Sequence, residues 1–236
     1  NTVLTFTDID GRLMELKTDV RISIAKDTKP VDMIRNLFYS EHVFRRMPGA
    51  NQFTEIKQMG LEYIGADTGY AEAEVISLAC QSLAAINQEY FLGVSHMGYI
   101  SALMDELKID EPTQEILLQA IGRKSAGDIA IALKDICLTK KQQPAVFSLI
   151  DLPASLDEAL DQLRSMALNT DMLNAISELE AVFSACEVWG LKPRLRMELS
   201  LLNDLEYYNG IVFQGYIKGL PRAILSGGRY DKLLQR

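Results

Sequence analysis

Between Gln52 and Gly65 the chain reads QFTEIKQMGLEYIG. A strand of period two puts Gln58, Gly60 and Glu62 on one face and Met59, Leu61 and Tyr63 on the other. A glutamine and a glutamate sharing a face, with only glycine between them, make a polar floor with room for a ligand against the sheet. The carboxylate suits an imidazole N–H; the carboxamide suits an ammonium or a carboxylate. On their own these residues would equally make a solvated strand face. A second group lies further on, where Tyr207-Tyr208-Asn209-Gly210 precedes Ser226-Gly227-Gly228-Arg229-Tyr230-Asp231. Paired glycines let backbone approach closely or turn sharply, and the next three residues offer a cation, a phenol and a carboxylate.

Several elements must position these groups. Val3–Phe6 and Leu13–Lys17 alternate around Asp8-Ile9-Asp10-Gly11 and predict a β-hairpin. Ile22–Ala25 begins a helix, with Asp19 as a candidate N-cap. Arg35–Tyr39 and His42–Arg46 read as strands around a turn at Ser40-Glu41. Ala71–Gln88 carries Ala73, Ile76, Ala79, Cys80, Leu83 and Ile86 at helical spacing. Glu89–Val94 is a strand, and Ser95-His96 reads as the start of a helix. From Tyr99 to Gly190 the texture is helical, with breaks at Glu111-Pro112-Thr113 and Lys141–Pro144 and a C-cap glycine at Gly190. Arg194–Leu202 alternates again. Ile211–Ile217 and Ala223–Leu225 flank Lys218-Gly219-Leu220-Pro221 as a hairpin joining the tyrosine pair to the glycine pair.

Bulk properties narrow the classes. The 236 residues are 48% hydrophobic and 24% charged, enough for a sizeable core in one or two domains. A net charge of −8 argues against a broad phosphate-binding face. Cys80, Cys137 and Cys186 sit inside apolar helical patterns without a CxxC pair, as buried thiols of a reducing cytosol do. Two histidines, His42 and His96, supply a zinc site poorly. No run is apolar enough to span a membrane, and no signal-peptide pattern opens the chain. The chain starts at Asn1 in mid-strand, as a fragment would.

Leu205–Phe213 followed by Gly227–Asp231 resembles the histidine-binding region of the histidyl-tRNA synthetase family. That family includes a non-catalytic paralogue, the regulatory subunit of ATP phosphoribosyltransferase. The resemblance runs nearly the whole chain in order. It implies an α+β fold with an antiparallel sheet of class II aminoacyl-tRNA synthetase type flanked by helices. Residues 1–95 and 191–236 would form the core, and 96–190 a mainly helical insertion. It also implies a histidine site. Asp19 matches the acidic residue that holds the α-amino group, with Thr18 and Arg21 where proline and threonine are usual. Arg45 matches the motif 2 arginine, whose planar fork suits a carboxylate or phosphate. Gln58 and Glu62 match the histidine-reading strand. Tyr207 and Tyr208 match the tyrosine pair, Tyr208 giving a hydroxyl and an aromatic wall beside an imidazole. Arg229 and Tyr230 would border the same pocket, although Arg229 reads equally as an ion-paired structural residue.

Two departures bear on activity. Synthetases carry Arg-Gly ahead of the tyrosine pair, where this chain has Asn203-Asp204. Asparagine donates hydrogen bonds without the positive charge that offsets developing negative charge, and losing such a donor costs on the order of 10²–10³ in rate. The loop Met47–Asn51 is also shorter than the family's and lacks its basic residues. The resemblance therefore implies a cytoplasmic, non-catalytic, histidine-sensing subunit without cofactor or metal. Its partners would be a short-form ATP phosphoribosyltransferase catalytic subunit and further copies of itself, with tRNA not expected. The alternatives are the catalytic core of a histidyl-tRNA synthetase and a core serving only as an oligomerisation scaffold.

Overall fold

The computed structural model describes residues 3–21, 23–24, 34–46, 52–65, 69–202 and 208–231. The chain divides into two compact units, Asn1–Asp67 and Thr68–Gln235. The first unit is β-structure. Strands β1 (Thr5–Thr7) and β2 (Leu13–Glu15) pair antiparallel, Phe6 opposite Met14. The Asp8 carboxylate accepts the N–H groups of Asp10 and Arg12 and so fixes the turn between them. Strands β3 (Arg35–Arg46) and β4 (Phe53–Ile64) form a long antiparallel ribbon in unbroken register from Arg35–Ile64 to Arg46–Phe53.

That register corrects the expected turn at Ser40-Glu41. Ser40 pairs with Met59 and Glu41 with Gln58 inside the ladder, so twelve residues run straight through. Two polar residues suggest a turn only where no partner strand satisfies their backbone, and here β4 does. The expected helix start at Ile22–Ala25 falls partly outside the described residues. Of its first turn, the Ile24 N–H donates to the Val20 carbonyl at 3.0 Å.

The second unit joins helices to a four-stranded sheet. Its elements are α1 (Gly69–Ile86), β5 (Tyr90–His96), α2 (Met97–Leu107), α3 (Glu111–Gly122), α4 (Ala126–Ala132), α5 (Gln142–Phe147), α6 (Leu156–Met166) and α7 (Thr170–Val188). A 3₁₀ turn at Lys192–Arg194 leads to β6 (Leu195–Met197), then β7 (Ile211–Ile217) and β8 (Leu225–Gly228). The sheet order is β6-β5-β7-β8, with β5–β6 parallel and the other pairs antiparallel. Strand β8 starts at Leu225, two residues later than expected, which carries Ser226-Gly227-Gly228 into the ladder opposite Gln214, Phe213 and Val212.

One apolar core unites this unit. Ile76, Cys80 and Leu83 of α1 and Ile176, Leu179 and Val182 of α7 are wholly buried with Leu92 and Val94 of β5. These are the positions that a 3.6-residue period on the helices and a period of two on the strand select. Asn169 caps α7 by accepting the Met172 N–H at 2.9 Å, and Gly190 takes φ +69° just past its end, as the sequence predicts. Burial pushes the Cys80 and Cys186 thiols up to about 11. Cys137, expected inside a helix, is instead exposed, in the irregular stretch after α4.

Candidate functional site

In the first unit the ribbon's alternation does what the sequence predicts. Gln58 and Glu62 share a face with Arg45 and Tyr39, because register pairs Gln58 with Glu41, Gly60 with Tyr39 and Glu62 with Leu37. Glu62 is 5% exposed, whereas Met59 on the opposite face is 75% exposed. The Phe44 N–H donates to the Lys17 carbonyl at 2.8 Å, which seats Thr18 and Asp19 beside the ribbon. Arg45 then reaches across. Its Nε donates to the Thr18 carbonyl at 3.0 Å, and its Nη2 to Gln58 Oε1 at 2.8 Å and Asp19 Oδ2 at 3.4 Å. Gln58 Nε2 donates in turn to the Tyr39 hydroxyl at 3.0 Å.

Asp19 takes the capping role and also pairs with the Arg21 guanidinium. Its Oδ1 accepts the Arg21 backbone N–H at 2.8 Å, as a helix cap does, while Oδ2 accepts Arg21 Nη2 at 2.8 Å. Burial alone would push this carboxyl up; the hydrogen bonds and charge of Arg21, with the charge of Arg45 behind, hold it below its ordinary value. Such a group favours the folded state above its unfolded pKa and loses that contribution as pH falls through its folded value. Asp19→Asn is therefore expected to flatten the acid limb of thermal stability below about pH 4 and leave its shape near neutrality unchanged. Melting curves across that range check it.

Two residues of this half were missed. Arg21 looked like a departure from threonine, yet it is the cation closest to Asp19. Tyr39 was hidden by the expected turn. A Cβ on Gly60 would collide with the Tyr39 ring, so the room above that glycine holds Tyr39 rather than standing open to a ligand. Burial pushes the Tyr39 phenol up, Gln58 opposes this, and the nearby Glu62 charge adds to it.

In the second unit Tyr208 is buried with Met97, Ile100 and Val212, and Tyr230 packs on it edge to face with ring centres 6.3 Å apart. Gly228 makes this possible, since a Cβ there would stand 2.8 Å from Tyr208 Cδ1 and 2.7 Å from Val212 Cγ1. Arg229 goes elsewhere. Its Nε binds Asp231 Oδ2 at 2.7 Å and its Nη1 lies 3.8 Å from Glu72 Oε1 on α1. Of the second-unit site residues, the structure thus brings Tyr208 and Tyr230 together and directs Arg229 toward a helix. Tyr207 lies outside the described residues, as do Asn203-Asp204 and the loop Met47–Asn51. A cavity of about 160 Å³ opens beside Tyr208 and Asn209, walled by Gly98, Ser101, Asp105 and Asp171. Its two carboxylates favour a cationic occupant over an anionic one. Among the described residues no group of three or more His, Cys, Asp or Glu is placed to hold a metal ion, and no helix is long and apolar enough to cross a membrane.

A family model described as histidyl-tRNA synthetase matches residues 1–236. The chain belongs to the histidyl-tRNA synthetase family. An ATP phosphoribosyltransferase regulatory subunit from Bacillus thuringiensis (strain Al Hakam) is 29% identical over 235 residues, which is 97% of this chain and 56% of that protein. The chain thus spans little more than half the length of such relatives. A solved structure described as an ATP phosphoribosyltransferase regulatory subunit/histidyl-tRNA synthetase from Bacillus halodurans superposes with a TM-score of 0.84 at 26% identity. It covers 99% of this chain and 62% of the other. The ATP phosphoribosyl transferase complex from Thermotoga maritima contains a chain matching with a TM-score of 0.79 at 20% identity, over 96% of this chain and 80% of that one. At that identity it bears on the fold alone. The fold is that of the histidyl-tRNA synthetase family: class II, α+β, sheets flanked by helices. Within it, residues Met97–Val188 hold the consecutive helices α2–α7.

Proposed function

We propose that this chain is the core of a regulatory subunit of ATP phosphoribosyltransferase, a non-catalytic member of the histidyl-tRNA synthetase family that binds histidine. The observation that carries the reading is a contrast between two halves of one chemistry. The amino-acid side keeps a built polar network, Arg21–Asp19–Arg45–Gln58–Tyr39, with Glu62 on the same ribbon face. The side that would stabilise adenylate formation keeps Arg45 but is depleted of charge, with asparagine at 203 for the arginine and no basic residue in Met47–Asn51. A site that holds an amino acid without activating it suits a sensor. The names of the relatives support the same reading.

In this account Asp19 of the first unit meets the ammonium, Arg45 and Gln58 the carboxylate end, and Glu62 the imidazole; in the second unit Tyr208 and Tyr230 are the residues that the family resemblance assigns to histidine. Histidine reports end-product level to a short-form catalytic subunit with which the full protein assembles in the cytoplasm, itself self-associated. That requires histidine to bind one state of the assembly better than another, and the coupling to be reciprocal. The helical residues 96–190 form an insertion in the synthetase-like core.

The test is calorimetry with histidine on the full-length protein, run beside histidine-dependent ATP–pyrophosphate exchange. Binding without exchange is expected, followed by a change in phosphoribosyltransferase activity when the catalytic subunit is added. Exchange would make Asn203 a tolerated substitution and the protein a synthetase. Absence of both would leave the scaffold reading.

A further inference from the structure

Four charged or titratable side chains converge on the side of the four-stranded sheet opposite Gly228 and Val212. His96 closes β5 and is 3% exposed. It precedes α2, as expected of a helix start, but its ring makes no cap. Instead Nε2 meets Glu178 Oε2 of α7 at 3.1 Å, and its buried Nδ1 has no hydrogen-bond partner among the described residues. Glu72 of α1 places a buried Oε1 without a hydrogen bond at 3.8 Å from the Arg229 guanidinium. Arg229 completes the group through Asp231. Such arrangements add little to stability, because desolvating the charges offsets their attraction and apolar side chains would pack as well. Burial pushes the Glu72 carboxyl up against the charge of Arg229, while the His96 hydrogen bond holds that of Glu178 down.

The group bears on the tyrosines through Arg229. Strand β8 ends at Gly228, and the next residue, Arg229, is directed toward Glu72 of α1 while Gly228 and Tyr230 meet Tyr208. Backbone bonds secure the same segment. The Asn209 N–H donates to the Arg229 carbonyl at 3.1 Å, the Arg229 N–H to Ile211 at 2.8 Å, and the Met97 N–H to Gly210 at 2.9 Å. Asn209 and Asp231 also exchange hydrogen bonds at 3.0 and 3.1 Å. We infer that Glu72, His96 and Glu178 are positioning residues for the histidine site, holding Arg229 on the helix side so that Gly228 and Tyr230 meet Tyr208. Arg229 is then an orienting residue that does not touch the ligand. The inference rests on the proposal that Tyr208 and Tyr230 face histidine.

The experiment uses the full-length protein with ¹³C-labelled tyrosine, comparing wild type with Glu178→Gln, Glu72→Gln, Arg229→Met and Arg229→Lys. Glu178 is half exposed on its side chain, so Glu178→Gln decides if the more buried variants fail to fold. Its melting temperature is expected to stay near that of wild type, while the Tyr208 and Tyr230 ring resonances shift or broaden before any ligand is added. Histidine affinity is expected to fall about tenfold, within the range for residues that touch no ligand yet modulate binding. Arg229→Lys should recover part of what Arg229→Met loses. Wild-type resonances in a folded Glu178→Gln would overturn the inference, as would unchanged affinity. If the wild-type protein binds no histidine, the proposed function falls, whereas the tyrosine resonances still judge the positioning claim.

Discussion

Replacing Glu62 by alanine is expected to weaken histidine binding by about 2 kcal/mol, roughly thirtyfold, the scale of one hydrogen bond to a charged group. The carboxylate is 5% exposed and lies on the ribbon face that also carries Gln58 and Arg45. A buried carboxylate accepts an N–H more strongly than one in water because little solvent competes. Glu62→Gln keeps an acceptor of nearly the same shape but loses the charge, so its affinity should fall between the two. Calorimetry on the full-length protein gives the number. An unchanged dissociation constant in Glu62→Ala would remove this residue from the site and, with it, the main reason for preferring histidine to other amino acids.

Gly228→Val should have the largest effect on the second unit. A Cβ at that position stands 2.7 Å from Val212 Cγ1, 2.8 Å from Tyr208 Cδ1 and 2.9 Å from the Ile211 carbonyl oxygen. The side chains can rotate, but a carbonyl in a paired strand cannot yield without shifting β7. The expected cost is about 3 kcal/mol of stability, the upper end of what overpacking does, read from denaturant unfolding. Because Tyr208 is displaced as well, histidine affinity should fall further than the stability loss alone requires. A variant as stable as wild type would show that β8 can slide away from β7.

The parts of this molecule that obey a local period were legible in advance. Alternation placed Gln58, Gly60 and Glu62 together, and helical spacing selected Ile76, Cys80 and Leu83 as core. Pairing was less legible. Reading Ser40-Glu41 as a turn hid Tyr39, because a residue's cross-strand partner depends on a register that one strand does not encode. Gly60 reads as leaving room for a ligand, but the Tyr39 ring occupies that room. Arg229 shows a different limit. Its motif marks it for a site, yet its direction follows from Glu72 and Asp231. Glu72 and Glu178 sit on helices where acidic residues are ordinary, and nothing local distinguishes the ones that meet Arg229 or His96.

The parallel pairing of β5 with β6 has a kinetic side. Leu92 faces Leu195 and Val94 faces Met197 across the full length of the helical run α2–α7. Those helices form from contacts between near neighbours, whereas this pairing brings together the two ends of the run and must overcome the chain entropy of closing it. The expected order of assembly is therefore helices first and the β5–β6 seam late. Truncating Leu195, wholly buried in β6, should chiefly speed unfolding, because its contacts are absent from the barrier that refolding crosses.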